Sequence, residues 1–314
     1  NIVSAKRIII VSTGTTLILS LLTLLVSVDL WLYIIPIEAL LAGIVIPVHG
    51  HLIKMYIVNE LRHRTIANLL IGGNIILAIA HILANSLIPM VSYAFIEVLL
   101  IGALIAAFKI DISVKTNKPK LLKIEPSSIL KSYWMLLVFI FVITINAGLM
   151  FSVIYPYFSQ FELLVSVYTN IPYIMTIFFV SRFMTKNKYY LLYLGLALWG
   201  MTFIFFAALS QTELSFLIIC TMMLIAAGIF DMFWASIIID NFEHVNNPSS
   251  LYGLGLSVNV FGVWVGSVLG SYLLGINTEK YIVSFIGLFV VMISMLIIVP
   301  LNNYLSNQLN YNEF

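Results

Sequence analysis

Charge is what this chain has least of. Only 9% of its 314 residues are charged, while 62% are hydrophobic. So few polar groups cannot cover a water-soluble globule of this length, and the composition implies a polytopic membrane protein. Cysteine is nearly absent as well. Cys220 stands alone in an apolar run, which excludes an intrachain disulfide and a cysteine cluster for zinc or iron–sulfur. The short alternating strands of an outer-membrane barrel are missing. So are a glycine-rich phosphate loop, a catalytic-triad pattern and a His-Glu-x-x-His helix, and His49-Gly50-His51 is too sparse for a metal site. No cofactor is expected, and the chain reads as something other than an enzyme. Nor is there a basic module for nucleic acid; the partners implied are the lipid bilayer and a small solute, with protons as a further candidate.

What is present is a series of helix-length apolar runs. Spanning the hydrocarbon core takes about 20 apolar residues. Ten such runs occur, over residues 8–28, 30–55, 66–87, 93–108, 133–157, 163–183, 189–209, 214–239, 251–274 and 281–304. The placement of Lys and Arg orients them. With alternate loops placed in the cytoplasm, starting at the N-terminal tail, only Lys280 of the 15 basic residues falls outside, where Asp29, Glu162, Glu213 and Glu279 also lie. Cysteine-accessibility labelling in intact cells checks this. A membrane-impermeant maleimide should label Lys280→Cys and leave Lys118→Cys untouched until the cells are opened.

One long polar segment, residues 111–131, separates four helices from six. This gives an N-terminal bundle over 1–110, a cytoplasmic linker over 111–131 and a C-terminal six-helix bundle over 132–314. The two parts resemble each other. Lys6-Arg7-Ile-Ile-Ile-Val-Ser-Thr-Gly14 aligns with Asn187-Lys188-Tyr-Tyr-Leu-Leu-Tyr-Leu-Gly195. Gly43 aligns with Gly228 and Asn74 with Asn259, at a separation of 185 residues in both pairs. A duplicated six-helix unit is the reading, with two further helices expected ahead of Asn1.

Few polar groups interrupt the apolar runs, so each one invites a functional reading, because an ionisable group at bilayer depth is costly. Asp231 lies nine residues before Asp240, about 13 Å along the helix, near mid-membrane. It shares a helix face with Gly228 and Trp234. The functional reading is a substrate- or proton-binding carboxylate; the bland one is an acid paired across helices. Glu38 lies at similar depth, nine residues after Asp29, with His49 further along its face. Asn74 and His81 are seven residues apart on one face, and Asn259 is the counterpart of Asn74. Asn146 is a weaker cavity candidate, and Glu97 is read as an outer-cavity or structural acid. Pro172 predicts a kink. Gly262, Gly266 and Gly270 form a stripe that should face another helix.

Six plus six helices, a central cytoplasmic loop and a parallel repeat resemble the major facilitator superfamily. Ser181-Arg182-Phe-Met-Thr-Lys186-Asn-Lys188 sits where that family carries a basic loop motif in its second half, with Ser181 standing where the family often has Asp. Lys6-Arg7 resembles the tail of the first copy. The resemblance implies a major-facilitator-like two-bundle, all-α fold, with about ten of twelve transmembrane helices present, in a bacterial inner membrane. It places Asp231 and Glu38 on helices that line the central cavity. It also makes Arg182, Lys186, Lys188, Lys6 and Arg7 candidates for a conformational gate. The implied function is secondary active transport of a small solute by alternating access, with proton coupling open to Asp231 or Glu38. The stretch from Phe230-Asp-Met-Phe-Trp234 to Asn247-Pro-Ser-Ser-Leu-Tyr-Gly-Leu-Gly-Leu-Ser-Val-Asn259 is also similar to the membrane part of bacterial LuxR-type regulators. That similarity implies the alternative of a membrane sensor whose cytoplasmic DNA-binding domain is absent here.

Overall fold

Turns in this chain form where a polar side chain can take over the free carbonyls or amides at a helix end. The computed structural model describes residues 2–86, 89–111, 126–183, 188–276 and 279–309. In order, the helices are α1 (Ile2–Thr23), α2 (Val28–Tyr56), α3 (Asn59–Ser86), α4 (Pro89–Phe108), α5 (Pro126–Leu149), α6 (Tyr155–Tyr157), α7 (Glu162–Tyr168), α8 (Ile171–Phe183), α9 (Lys188–Ala208), α10 (Glu213–Asp240), α11 (Pro248–Gly275) and α12 (Lys280–Leu309). Among the described residues, ten helical spans are long and apolar enough to cross a membrane. The chain is an all-helical, multi-pass membrane protein.

The ten expected spans are all there, with displaced ends. The first runs over Ile2–Thr23 rather than 8–28. Leu24 and Leu25 turn back onto the carbonyls of Leu21 and Leu22. The Trp31 indole then donates to the free Thr23 carbonyl at 3.0 Å, and Asp29 sits in the first turn of α2, where a negative charge is favoured. At the far end of α2, Arg62 donates to the carbonyls of Ile57 and Lys54 at 3.1 and 3.2 Å. These are terminal acceptors that no helical amide reaches.

Proline sets the two interruptions. Pro156 cannot donate back along its helix, and the ladder ahead of it widens into a π-turn over Met150–Ile154, closed by the Tyr155 amide on the Met150 carbonyl. The kink expected at Pro172 is a full break: α7 ends at Tyr168 and α8 restarts at Ile171. At α11, Pro248 occupies the first helical position, and the Asn247 side chain accepts from the Ser250 amide at 3.4 Å, as an N-cap should.

The chain divides into two compact units. Unit 1 comprises Asn1–Thr65, Ile79–Pro126 and Ile239–Gly253, and unit 2 comprises Ile66–Ala78, Ser127–Ile238 and Leu254–Phe314. In unit 1, α1 packs on α2 and α4 around Ala5, Ile9, Val48 and Ala107. Lys6 donates to the carbonyls of Phe108 and Ile110 at 2.7 and 2.8 Å, tying the start of α1 to the end of α4. Of the 111–131 linker, residues 112–125 lie outside the described residues, and Pro126 onward already forms α5.

In unit 2 the glycine stripe of α11 lies against α5, as expected. A methyl group on Gly262 would meet the Phe141 carbonyl at 2.5 Å, and one on Gly266 would collide with the Ile145 carbonyl oxygen. Gly148 on α5 returns the contact, its own added methyl falling 2.6 Å from the Gly266 Cα. Such close backbone approach is the main route to helix association where lipid leaves no hydrophobic drive. Ser267 adds a hydrogen bond to the Gly148 carbonyl at 3.3 Å.

Candidate functional site

Unit 2 holds a polar centre built on Asp231. Three neutral donors converge on its carboxyl group. The Tyr173 hydroxyl donates to Oδ2 at 2.6 Å. The Trp234 indole donates to Oδ1 at 3.0 Å, and the Asn259 amide reaches the same oxygen at 3.4 Å. The donors come from α8, α10 itself and α11. Trp234 is placed by helical spacing, three residues on from Asp231. Glycines let the other two helices come close. A methyl on Gly228 would sit 3.0 Å from the Thr176 Cβ and 3.3 Å from the Tyr173 carbonyl, so α8 passes over α10 at the turn that carries Tyr173. Gly255 of α11 lies under the Trp234 ring, and Asn259 follows one turn later on that face.

No Lys or Arg occurs in α10 or α11, and Arg182 lies at the last turn of α8. The centre therefore offers a carboxyl group held by neutral donors, able to take up and release a proton or to meet a cationic or polar solute. An apolar groove of about 470 Å³ between α8, α9 and α10 is a weaker site. Its lining hydroxyls are already engaged: Tyr168 with Thr221 at 2.6 Å, and Thr176 with the Pro172 carbonyl at 2.7 Å.

Of the residues singled out from the sequence, Asp231, Trp234 and Asn259 meet in one cluster. Asn74 donates to the Leu70 carbonyl of its own helix at 2.9 Å, unlike its repeat counterpart Asn259. Asn146 is fully buried, and neither polar atom of its amide has a partner among the described residues. Glu38 and His81 belong to unit 1, where His81 is exposed. Tyr173 was missed by sequence reasoning. The one hint was its place beside Pro172, where a helix break gives a hydroxyl-bearing ring room near a buried acid.

Unit 1 contains a charged latch that the sequence did not single out. It joins the α2–α3 connection to the segment after α10. Arg62, 4% exposed, pairs with Glu243 at 2.7 Å and also donates to the Asn59 side chain at 3.2 Å. His63 meets Asp240 at 2.7 Å. Lys54 donates to the carbonyls of Phe242 and Val245 at 2.6 and 3.1 Å. Gly50 and Gly253 allow the neighbouring backbones to approach, Gly253 against Pro47 and Gly50 against Tyr252. The signal was available as opposite charge, with Lys54, Arg62, His63 and Arg64 on either side of the α2–α3 connection and Asp240 and Glu243 at and just after the end of α10.

The gate candidates drawn from the basic loop motif are distributed differently. Arg182 donates to the Asn68 side chain at 2.7 Å and to Ser181 at 2.9 Å, and lies over the Phe178 ring at 4.1 Å. Lys6 caps α4 as described, and Arg7 is exposed on α1. Lys186 and the side chain of Lys188 lie outside the described residues.

No protein-family model matches the chain, and no curated protein matches it.

Proposed function

We propose that the chain is a secondary active transporter of the facilitator type, moving a small solute by alternating access. The observation that carries this reading is the Asp231 centre: an ionisable group deep in a spanning helix, engaged by three helices yet without a charged partner among the described residues. A purely structural acid would cost several kcal/mol to hold in the membrane interior, and a neutral side chain of the same shape would hold the three helices as well. A carboxyl group that changes protonation, or neutralises a cationic solute, gives that cost a use. The break before Pro172 supports the same reading, since interrupted helices are common where transporters line a binding site.

The latch in unit 1 would then be one of the closures. In the orientation drawn from Lys and Arg it lies at the cytoplasmic ends of α2, α3 and α10, and its ion pairs would part when that side opens. Glu243 is about 40% exposed on its side chain, so its pair with Arg62 is worth only about 1 kcal/mol. Val245 is fully buried behind the latch and reports on it. In a Cys220→Ala background, Val245→Cys should react slowly with maleimide, and adding Glu243→Ala should raise the rate roughly five-fold, the shift that about 1 kcal/mol of lost pairing gives. An unchanged rate would remove Glu243 from the closure.

The function itself is tested by uptake into proteoliposomes of the purified full chain, with and without a pH gradient, over a panel of cationic and polar solutes. Uptake above that of empty vesicles supports transport. Solute binding without uptake would favour a sensor.

A further inference from the structure

The groove between α8, α9 and α10 has little to offer a polar solute, but its shape and its one charged neighbour suit a lipid. Its volume is about 470 Å³, and its hydroxyls are spent on each other or on backbone. Ile171, Met175, Phe179 and Leu194 line it and are each about half exposed, so it opens sideways, where the bilayer lies. On α8 the lining runs from Ile171 to Val180. Nine residues of helix rise about 14 Å, close to half of a hydrocarbon core about 30 Å thick. That is the depth of one leaflet.

Arg182 lies in the last turn of α8, two residues past Val180. Ring contacts join it to the groove. Its guanidinium lies 4.1 Å from the centre of the Phe178 ring, and Phe178 meets Phe179 edge-on at 5.6 Å. Phe179 is part of the groove wall. Every acceptor that Arg182 uses is neutral: the Asn68 side chain, the Ser181 hydroxyl and the Phe178 carbonyl. A guanidinium carries five N–H donors. Among the described residues, Nε–H and one Nη2 hydrogen remain open, and no carboxylate lies within ion-pair distance. The sequence that follows adds Lys186 and Lys188 and reaches no acid before Glu213.

We propose that the groove holds one acyl chain of an anionic phospholipid of the cytoplasmic leaflet, with the lipid phosphate on Arg182. A phosphate accepts two parallel N–H bonds from a guanidinium, and basic sites at the cytoplasmic ends of spanning helices attract anionic headgroups. A zwitterionic headgroup would add an ammonium with no acid of α8 or α9 to receive it. A free phosphate ion would satisfy Arg182 and leave the apolar wall unfilled. A helix from another protein is too wide. Spread over 14 Å, the volume leaves a cross-section of about 35 Å², less than half of the roughly 80 Å² that a helix about 10 Å across occupies. All the groups named belong to unit 2. The site is independent of the role assigned to Asp231, and it holds its lipid whether or not the chain transports a solute.

The test is melting of the purified, delipidated full chain in detergent, which needs no transport substrate. The chain is titrated with phosphatidylglycerol, with phosphatidylcholine of the same acyl chains, and with inorganic phosphate alone. Phosphatidylglycerol should raise the melting point saturably, phosphatidylcholine should act only at about ten-fold higher concentration, and phosphate should do nothing. Two variants separate head from tail, each read as the shift from its own lipid-free melting point. Arg182→Gln should bring the phosphatidylglycerol response down to that of phosphatidylcholine. Met175→Trp fills the groove from a half-exposed position and should abolish the response to both lipids. Native mass spectrometry should then find one phosphatidylglycerol on the parent chain and none on Met175→Trp. Should Met175→Trp not fold, Leu194→Trp fills the groove from α9 and carries the same test. A lipid response in the groove-filling variant equal to that of the parent overturns the proposal. So does a parent that answers equally to the two lipids, or as strongly to phosphate as to phosphatidylglycerol.

Discussion

Asp231→Asn should give a folded protein that no longer drives uptake from a pH gradient. Asparagine keeps the size of the side chain and one oxygen able to accept from Tyr173 or Trp234. The loss in stability should be limited to weaker hydrogen bonds, about 1–2 kcal/mol. What disappears is the ability to exchange a proton or to balance a cationic solute. In proteoliposomes, accumulation under a pH gradient should fall to the level of empty vesicles while the melting point stays close to that of the parent. Tyr173→Phe separates the roles within the cluster. It removes the shortest hydrogen bond to the carboxyl group and leaves the charge, so it should alter the pH dependence of uptake rather than eliminate uptake. Full gradient-driven accumulation by Asp231→Asn would make Asp231 a structural residue.

The largest effect on stability is expected at Gly266. Its added methyl would collide with a backbone carbonyl, that of Ile145, and backbone cannot swing aside as a side chain can. Gly266→Leu must therefore separate α11 from α5, pulling Ser267 off the Gly148 carbonyl and loosening the matched contacts at Gly262 and Gly270. Overpacking of this kind costs about 3 kcal/mol or more. A sharply lower yield of monodisperse protein, or a melting point many degrees below the parent, is the expected outcome. Gly275→Leu provides the control, because a methyl there meets nothing within 4 Å. Equal melting of the two variants would mean that the stripe does not hold the helices together.

The same two residues show how far the chain could be read without its fold. The Gly262, Gly266, Gly270 stripe was legible because a four-residue repeat of small residues has one physical use in a membrane. Its partner was not, since nothing in α5 except Gly148 marks it as the receiving helix. Asp231 was legible through its cost: an acid in an apolar run stands out whatever surrounds it. Trp234 followed from helical spacing and Asn259 from the repeat. Tyr173, the shortest contact, was hidden because tyrosines are common at membrane interfaces and its position depends on the break before α8.

The latch and the Ser20–Glu97 hydrogen bond were hidden for another reason. Their members are scattered along the chain, from Lys54 to Val245 and from Ser20 to Glu97. Only packing brings them together. Hydrophobic run length, a local property, was enough by itself to determine that the chain is helical, that ten helices among the described residues are long and apolar enough to cross a membrane, and roughly where each lies. The ends of the spans needed the structure, because they depend on capping contacts such as Trp31 on Thr23 and Arg62 on Ile57. Which polar groups have partners and which are left open was decided by tertiary structure alone. Satisfaction of a buried hydrogen-bonding group depends on what lies within about 3 Å of it, and in a helical bundle those neighbours come from distant parts of the chain.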